Sequence, residues 1–152
     1  MRKTVIIFGL IIFAVWFAKE VLFVSSSVAQ KSANELKTLA NCKVIHSACE
    51  TYHEVNRKYP DSLRVLGLEK PPYLPKELSR GSGWGYRYSY EKTQRGFFVY
   101  ATPVKRGQTG NFDFSIDESG RINVCDKDRN CMTEREYLNV KDAIRRNELY
   151  AQ

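Results

Sequence analysis

Polar and apolar positions change their rhythm three times along this chain. Thr4 to Ala18 carries no charge, Lys19 and Glu20 interrupt the run, and Val21-Leu22-Phe23-Val24 resumes it. From Val28 to about Val55 there is neither Pro nor Gly, and Leu36, Leu39, Ile45, Ala48, Tyr52 and Val55 follow a three- and four-residue rhythm, the mark of an amphipathic helix. Only Ser25-Ser26-Ser27 separates the two stretches. Nothing there must break a helix, so the pattern predicts one rod of some fifty residues, ~75 Å long. Asn56-Arg57-Lys58-Tyr59-Pro60 should end it, because a residue before Pro disfavours helical backbone.

Residues 61–67 then read as a short helix with an Asp61 or Ser62 cap and a Gly67 stop, and the Pro- and Gly-rich 70–85 as a loop. Beyond it the period becomes two. Tyr86, Tyr88 and Tyr90 alternate with Arg87 and Ser89; Phe97–Ala101 follows Arg95-Gly96; Phe112, Phe114 and Ile116 alternate with Asp113 and Ser115; Ile122 and Val124 follow the turn 117–120. Four short strands divided by turn residues predict a meandering antiparallel sheet. Thr133 and Glu136 have capping-box spacing, which opens a final helix over roughly 134–149 with Tyr137, Val140, Ile144 and Glu148 on one face. The fold class expected is α+β: a long N-terminal helix on a four-stranded meander, with a short C-terminal helix. Three regions follow: an anchor at 1–24, a helical stalk at 25–56 and a globular domain at 57–152.

Length turns the apolar run into a statement about place. Residues 4–24 would make ~31 Å of helix, enough to cross a hydrocarbon core. The basic start Met1-Arg2-Lys3 stays on the cytoplasmic side by the positive-inside rule. The expected location is therefore the cytoplasmic (inner) membrane, single-pass, with the domain in the periplasm or outside the cell. A cleaved signal peptide is the competing reading, since Ser27-Val28-Ala29 offers small residues to a peptidase. The long run and its two charges favour an uncleaved anchor. The formal charge of +7 is dispersed along the 152 residues; it permits attraction to anionic lipid or nucleic acid without selecting either.

Several pieces occur in an order known elsewhere: the helix ending in Thr51-Tyr52, then Tyr59-Pro60-Asp61-Ser62-Leu63, Gly85-Tyr86-Arg87-Tyr88, Gly96-Phe97, Ala101-Thr102-Pro103, Gly107-Gln108-Thr109-Gly110, Phe114–Glu118 and Ser119-Gly120-Arg121-Ile122. Over residues 36–122 this resembles the type IV pilin and type II secretion pseudopilin superfamily. The resemblance implies a structural protein of a pilus or secretion system, with membrane lipid and other pilin-like or assembly proteins as partners and no small-molecule substrate. The N-terminus differs from that family. Ala14 stands five residues beyond Gly9, where a prepilin carries Glu, and Glu20 is the sole acid of the apolar segment. A pilin-like domain on an ordinary uncleaved anchor fits these residues better than a processed prepilin.

No catalytic, cofactor-binding or metal residues are assigned. Cys125 and Cys131 flank a polar loop and are expected to pair in an oxidising compartment; a bridge from the long helix to the sheet is the alternative. Cys42 and Cys49 lie ~10.5 Å apart on the helix, too far to bridge each other. Cys42, His46, Cys49 and His53 form a stripe that metal chemistry would recognise, although the bland reading buries the cysteines and leaves the histidines toward solvent. Asp126, Asp128 and Asn130 alternate like a calcium loop, yet Cys131 and Tyr137 replace its Gly and Glu. Gly81–Gly85 lacks the Lys-Ser/Thr of a phosphate loop and reads as a turn. Tyr86, Tyr88, Tyr90 and Tyr100, with Arg87, could stack on bases, but strand packing explains them. The alternative function is an exported module binding DNA or another polyanion through Arg129, Arg135, Lys141, Arg145 and Arg146.

Overall fold

The computed structural model describes the backbone of residues 2–150 and the side chains of residues 27–146. Among them the chain forms four helices and a six-stranded sheet. In chain order these are α1 (Arg2–Asn56), α2 (Leu63–Leu68), α3 (Lys76–Ser79), β1 (Ser82–Gly83), β2 (Tyr86–Lys92), β3 (Phe97–Pro103), β4 (Asp113–Asp117), β5 (Ile122–Cys125), β6 (Cys131–Thr133) and α4 (Glu134–Tyr150). Every strand pairs antiparallel with its sequence neighbour, so the sheet is a plain meander. The apolar run at 4–24 lies outside the residues with described side chains, and among those residues no helix is long and apolar enough to cross a membrane.

The sheet presents one face to α1. Along β2, Tyr86 and Tyr88 point inward while Arg87 and Ser89 are exposed; along β3, Phe97, Val99 and Ala101 are buried between exposed Phe98, Tyr100 and Thr102. Onto this face α1 lays Leu39, Cys42, Ile45, Ala48, Cys49 and Tyr52, all buried. Rings close the upper end: Phe97 lies 5.1 Å from Tyr59 and 5.8 Å from Tyr90. α1 stops where expected. Arg57 takes a left-handed conformation (φ 59°) and its N–H bonds back to His53 O at 2.8 Å, an αL cap built without glycine.

Six strands replace the four expected. β1 and β6 have two and three residues, too few to display an alternating pattern, and each is fixed by its partner. β1 exists because Trp84 and Gly85, both with positive φ (52° and 74°), fold it against β2 in the manner of a primed hairpin turn. β6 exists because Cys125 and Cys131 are paired residues in the ladder and are joined as a disulfide. The 70–85 segment, expected to be loop, also holds the single turn of α3.

Two apolar faces are phased differently from expectation. Leu36 and Val55 of α1 are exposed, whereas Glu35 and Thr38 are fully buried. On α4, Tyr137 is buried but Val140 and Ile144 are not, because the sheet ends before the helix does. Ser62 sits at the start of α2 without a side-chain cap; Asp61 is engaged by Lys92 at 2.7 Å instead.

Candidate functional site

The densest polar cluster is one that pattern reading passes over. Glu35 accepts a bond from Asn111 N–H at 2.7 Å on one carboxylate oxygen, and from Tyr137 Oη at 3.0 Å and Lys141 Nζ at 2.5 Å on the other. Three elements meet there: α1, the β3–β4 loop and α4. A buried carboxylate is stable only when paired and hydrogen-bonded, and all these donors converge on it. The cluster is therefore a clasp that joins α4 to the rod. Burial drives the Tyr137 phenol far above its ordinary value, with the neighbouring Glu35 charge adding to the shift, so the ring serves as a neutral hydrogen-bond donor. The one clue in the sequence is spacing: Glu35 precedes Leu39 by four and Cys42 by seven, on the same buried arc.

The Cys/His stripe does not converge on a point. Cys42 and Cys49 are free, fully buried thiols. Burial pushes both up to about 12, with Glu50 adding to the rise at Cys49, so neither offers a thiolate to a metal or an electrophile. His46 is half-buried, with Nε2 3.0 Å from Glu118 O, and His53 stacks on Tyr59 at 4.3 Å. Among the described residues, no three His, Cys, Asp or Glu side chains are grouped to hold a metal ion.

The loop between Cys125 and Cys131 is organised around its own first acid. Asp126 Oδ1 accepts the N–H groups of Asp128 (2.8 Å) and Asn130 (3.0 Å), and Oδ2 takes the Asn130 side-chain amide at 3.1 Å. Together with the backbone bonds from Asp126 N–H to Asn130 O and from Arg129 N–H to Asp126 O, and with the disulfide, they close the turn. Gly81–Gly85 is the β1–β2 hairpin, with Lys37 lying 4.9 Å over the Trp84 ring.

The tyrosines considered for base stacking are divided between the two sheet faces. Tyr86 and Tyr88 are in the core, Tyr90 reaches Pro60 O at 2.7 Å, and Tyr100 alone faces outward, beside Phe98 at 6.1 Å. The basic C-terminal set is divided too. Lys141 is committed to Glu35 and to Ser32 Oγ at 3.0 Å, leaving Arg129, Arg135, Arg145 and Arg146 exposed.

The remaining exposed feature of note is on α1. Ala29, Ala33, Leu36, Ala40, Val44, Ser47, Thr51 and Val55 follow steps of four and three, and all are exposed. At 3.6 residues per turn they share the side of the helix opposite the core residues. These eight positions are uncharged, with Leu36 and Val44 each 44% and Val55 67% exposed, and Lys37, Lys43 and Glu54 stand among them on the same side.

Comparison of the chain with family models, with curated proteins and with solved structures finds no match.

Proposed function

We propose that the chain is a membrane-anchored, pilin-like structural protein that acts outside the cytoplasm through contacts with other assembly proteins. Residues 4–24 hold it in the cytoplasmic membrane with the N-terminus inside, and the α+β domain is displayed on the far side. It acts as a part in an assembly, without catalysis.

The observation that carries this reading is the row of eight exposed small and apolar side chains on the outward side of α1. Its small residues let a second helix approach closely, and its three- and four-residue spacing is that of helix-on-helix packing. The small and apolar side chains run in phase from residue 29 to residue 55, with charge on that side confined to Lys37, Lys43 and Glu54, of which Lys43 is paired with Glu134.

Cysteine cross-linking of the full-length chain in its native membrane tests the reading. Ala40→Cys in this row is expected to form covalent adducts on mild oxidation, while Ser89→Cys on the outer sheet face stays monomeric. Equal behaviour at the two positions would remove the assembly function.

A further inference from the structure

We infer that the C-terminal end of α4 is a second membrane contact, meeting the anionic headgroup layer end-on beside the anchor. The inference rests on the anchor proposed above.

Glu134 at the start of α4 pairs with Lys43 at 2.6 Å; Tyr137 reaches Glu35; Lys141 reaches Glu35 and Ser32. As the number rises along α4, the number of its partner on α1 falls, so α4 runs back toward the apolar run. From Ser32 to Val24 is ~12 Å of helix, and from Lys141 to Tyr150 ~13.5 Å. The end of α4 thus comes down to the level at which the apolar run begins.

Past Leu138, every described residue of α4 except Lys141 is exposed. Val140 and Ile144 are 48% and 49% exposed and lie one turn apart on the face that begins with buried Tyr137. A stretch this short gains little stability as an isolated helix in water, so a surface that accepts it is part of its design.

Charge selects that surface. Arg145 and Arg146 are exposed and neither is ion-paired among the described residues; with exposed Asp142 one turn before them, the described stretch past Lys141 keeps a net positive charge. A nucleic acid would take the two guanidinium groups but leave Val140 and Ile144 in water. An anionic leaflet met end-on accepts both kinds of group, with headgroups for the arginines and the outer interfacial zone for Ile144, ~9 Å of helix from Tyr150. Each basic residue near such a leaflet strengthens partitioning about fivefold. Two of them bind weakly alone, but an anchor in the same chain makes the contact intramolecular.

The test uses the full-length chain with Ile144→Cys carrying an environment-sensitive fluorophore. The label is selective, because Cys125 and Cys131 are bridged and Cys42 and Cys49 are buried. The protein is placed in phosphatidylcholine vesicles and in equal mixtures of phosphatidylcholine and phosphatidylglycerol. The expected result is a blue shift and quenching by lipid-borne quencher in the mixed vesicles. Added salt and the Arg145→Glu/Arg146→Glu pair should each weaken the signal severalfold, and a probe at Gln94→Cys on the β2–β3 turn should not respond. A chain that floats with both vesicles while the 144 probe behaves like the 94 probe overturns the α4 contact and leaves the anchor intact. A 144 probe that responds to duplex DNA and not to vesicles overturns it in favour of a polyanion site. Failure to float with either vesicle at high salt removes the anchor, and the α4 contact with it.

Discussion

Along α1 the contact with the sheet is dry: Leu39, Cys42, Ile45, Ala48, Cys49 and Tyr52 meet aromatic and β-branched side chains over about four turns. Along α4 the attachment is one buried ring, Tyr137, and half-buried Leu138, with a polar clasp at Glu35 and a surface pair between Glu134 and Lys43. Apolar contact is non-directional and divided over many atoms, so a lost group is felt in proportion to its volume. A buried polar clasp is directional and concentrated, so a single substitution can leave several donors unsatisfied. The two helices should therefore fail differently: α1 together with the whole domain, α4 by itself.

The largest effect is expected in the dry contact. Phe97 is fully buried against Tyr59, Tyr90 and His46. Phe97→Ala should cost about 3–5 kcal/mol, read as a lower denaturant midpoint for the whole domain. Loss confined to one helix would contradict the comparison.

Next is the clasp. Glu35→Ala leaves the Lys141 ammonium, the Tyr137 hydroxyl and the Asn111 N–H without their shared acceptor. Removing one member of a buried pair costs about 3–5 kcal/mol, and the lower end applies here because Lys141 keeps Ser32 and can reach water. Hydrogen exchange should show α4 amides losing protection while β3 and β4 keep theirs. Glu35→Gln, which retains one carbonyl acceptor, should fall between the two. Melting of sheet and helix together would mean that α4 is part of the core after all.

The same contrast explains what could be read from the residues alone. The rod, its stop before Pro60 and the strands β2–β5 come from many apolar positions repeating in phase, and repetition is what a pattern conveys. β1, β6 and α3 have no repetition to show; they exist through a two-residue turn, a disulfide and a single turn of helix. Glu35 was hidden for another reason. A carboxylate on a helix reads as solvated until its donors are known, and these come from residues 111, 137 and 141. Val140 and Ile144 show the converse error, since spacing gives a shared face but not whether the sheet extends far enough to cover it.

The smallest effect concerns the start of α4, where the capping box forms as its spacing implies. The Glu136 carboxylate accepts the Thr133 N–H at 2.8 Å and the Thr133 hydroxyl at 2.9 Å. These bonds, the backbone one foremost, hold Glu136 below its ordinary value of 4.5. A carboxyl whose pKa is lowered by folding contributes its full stabilisation above the unfolded value and loses it as pH falls through the folded one. The cap should thus be intact at neutral pH and release only below about pH 4.5. Thr133→Ala should cost about 1 kcal/mol at neutral pH, visible as faster exchange at the first turn of α4 and nowhere along α1. Glu136→Gln should make the protection of those amides, taken relative to their intrinsic exchange rates, independent of pH across the acid range. If acid instead loosened α1 and α4 to the same degree, the dry contact would carry titrating groups, and the contrast between the two helices would not hold.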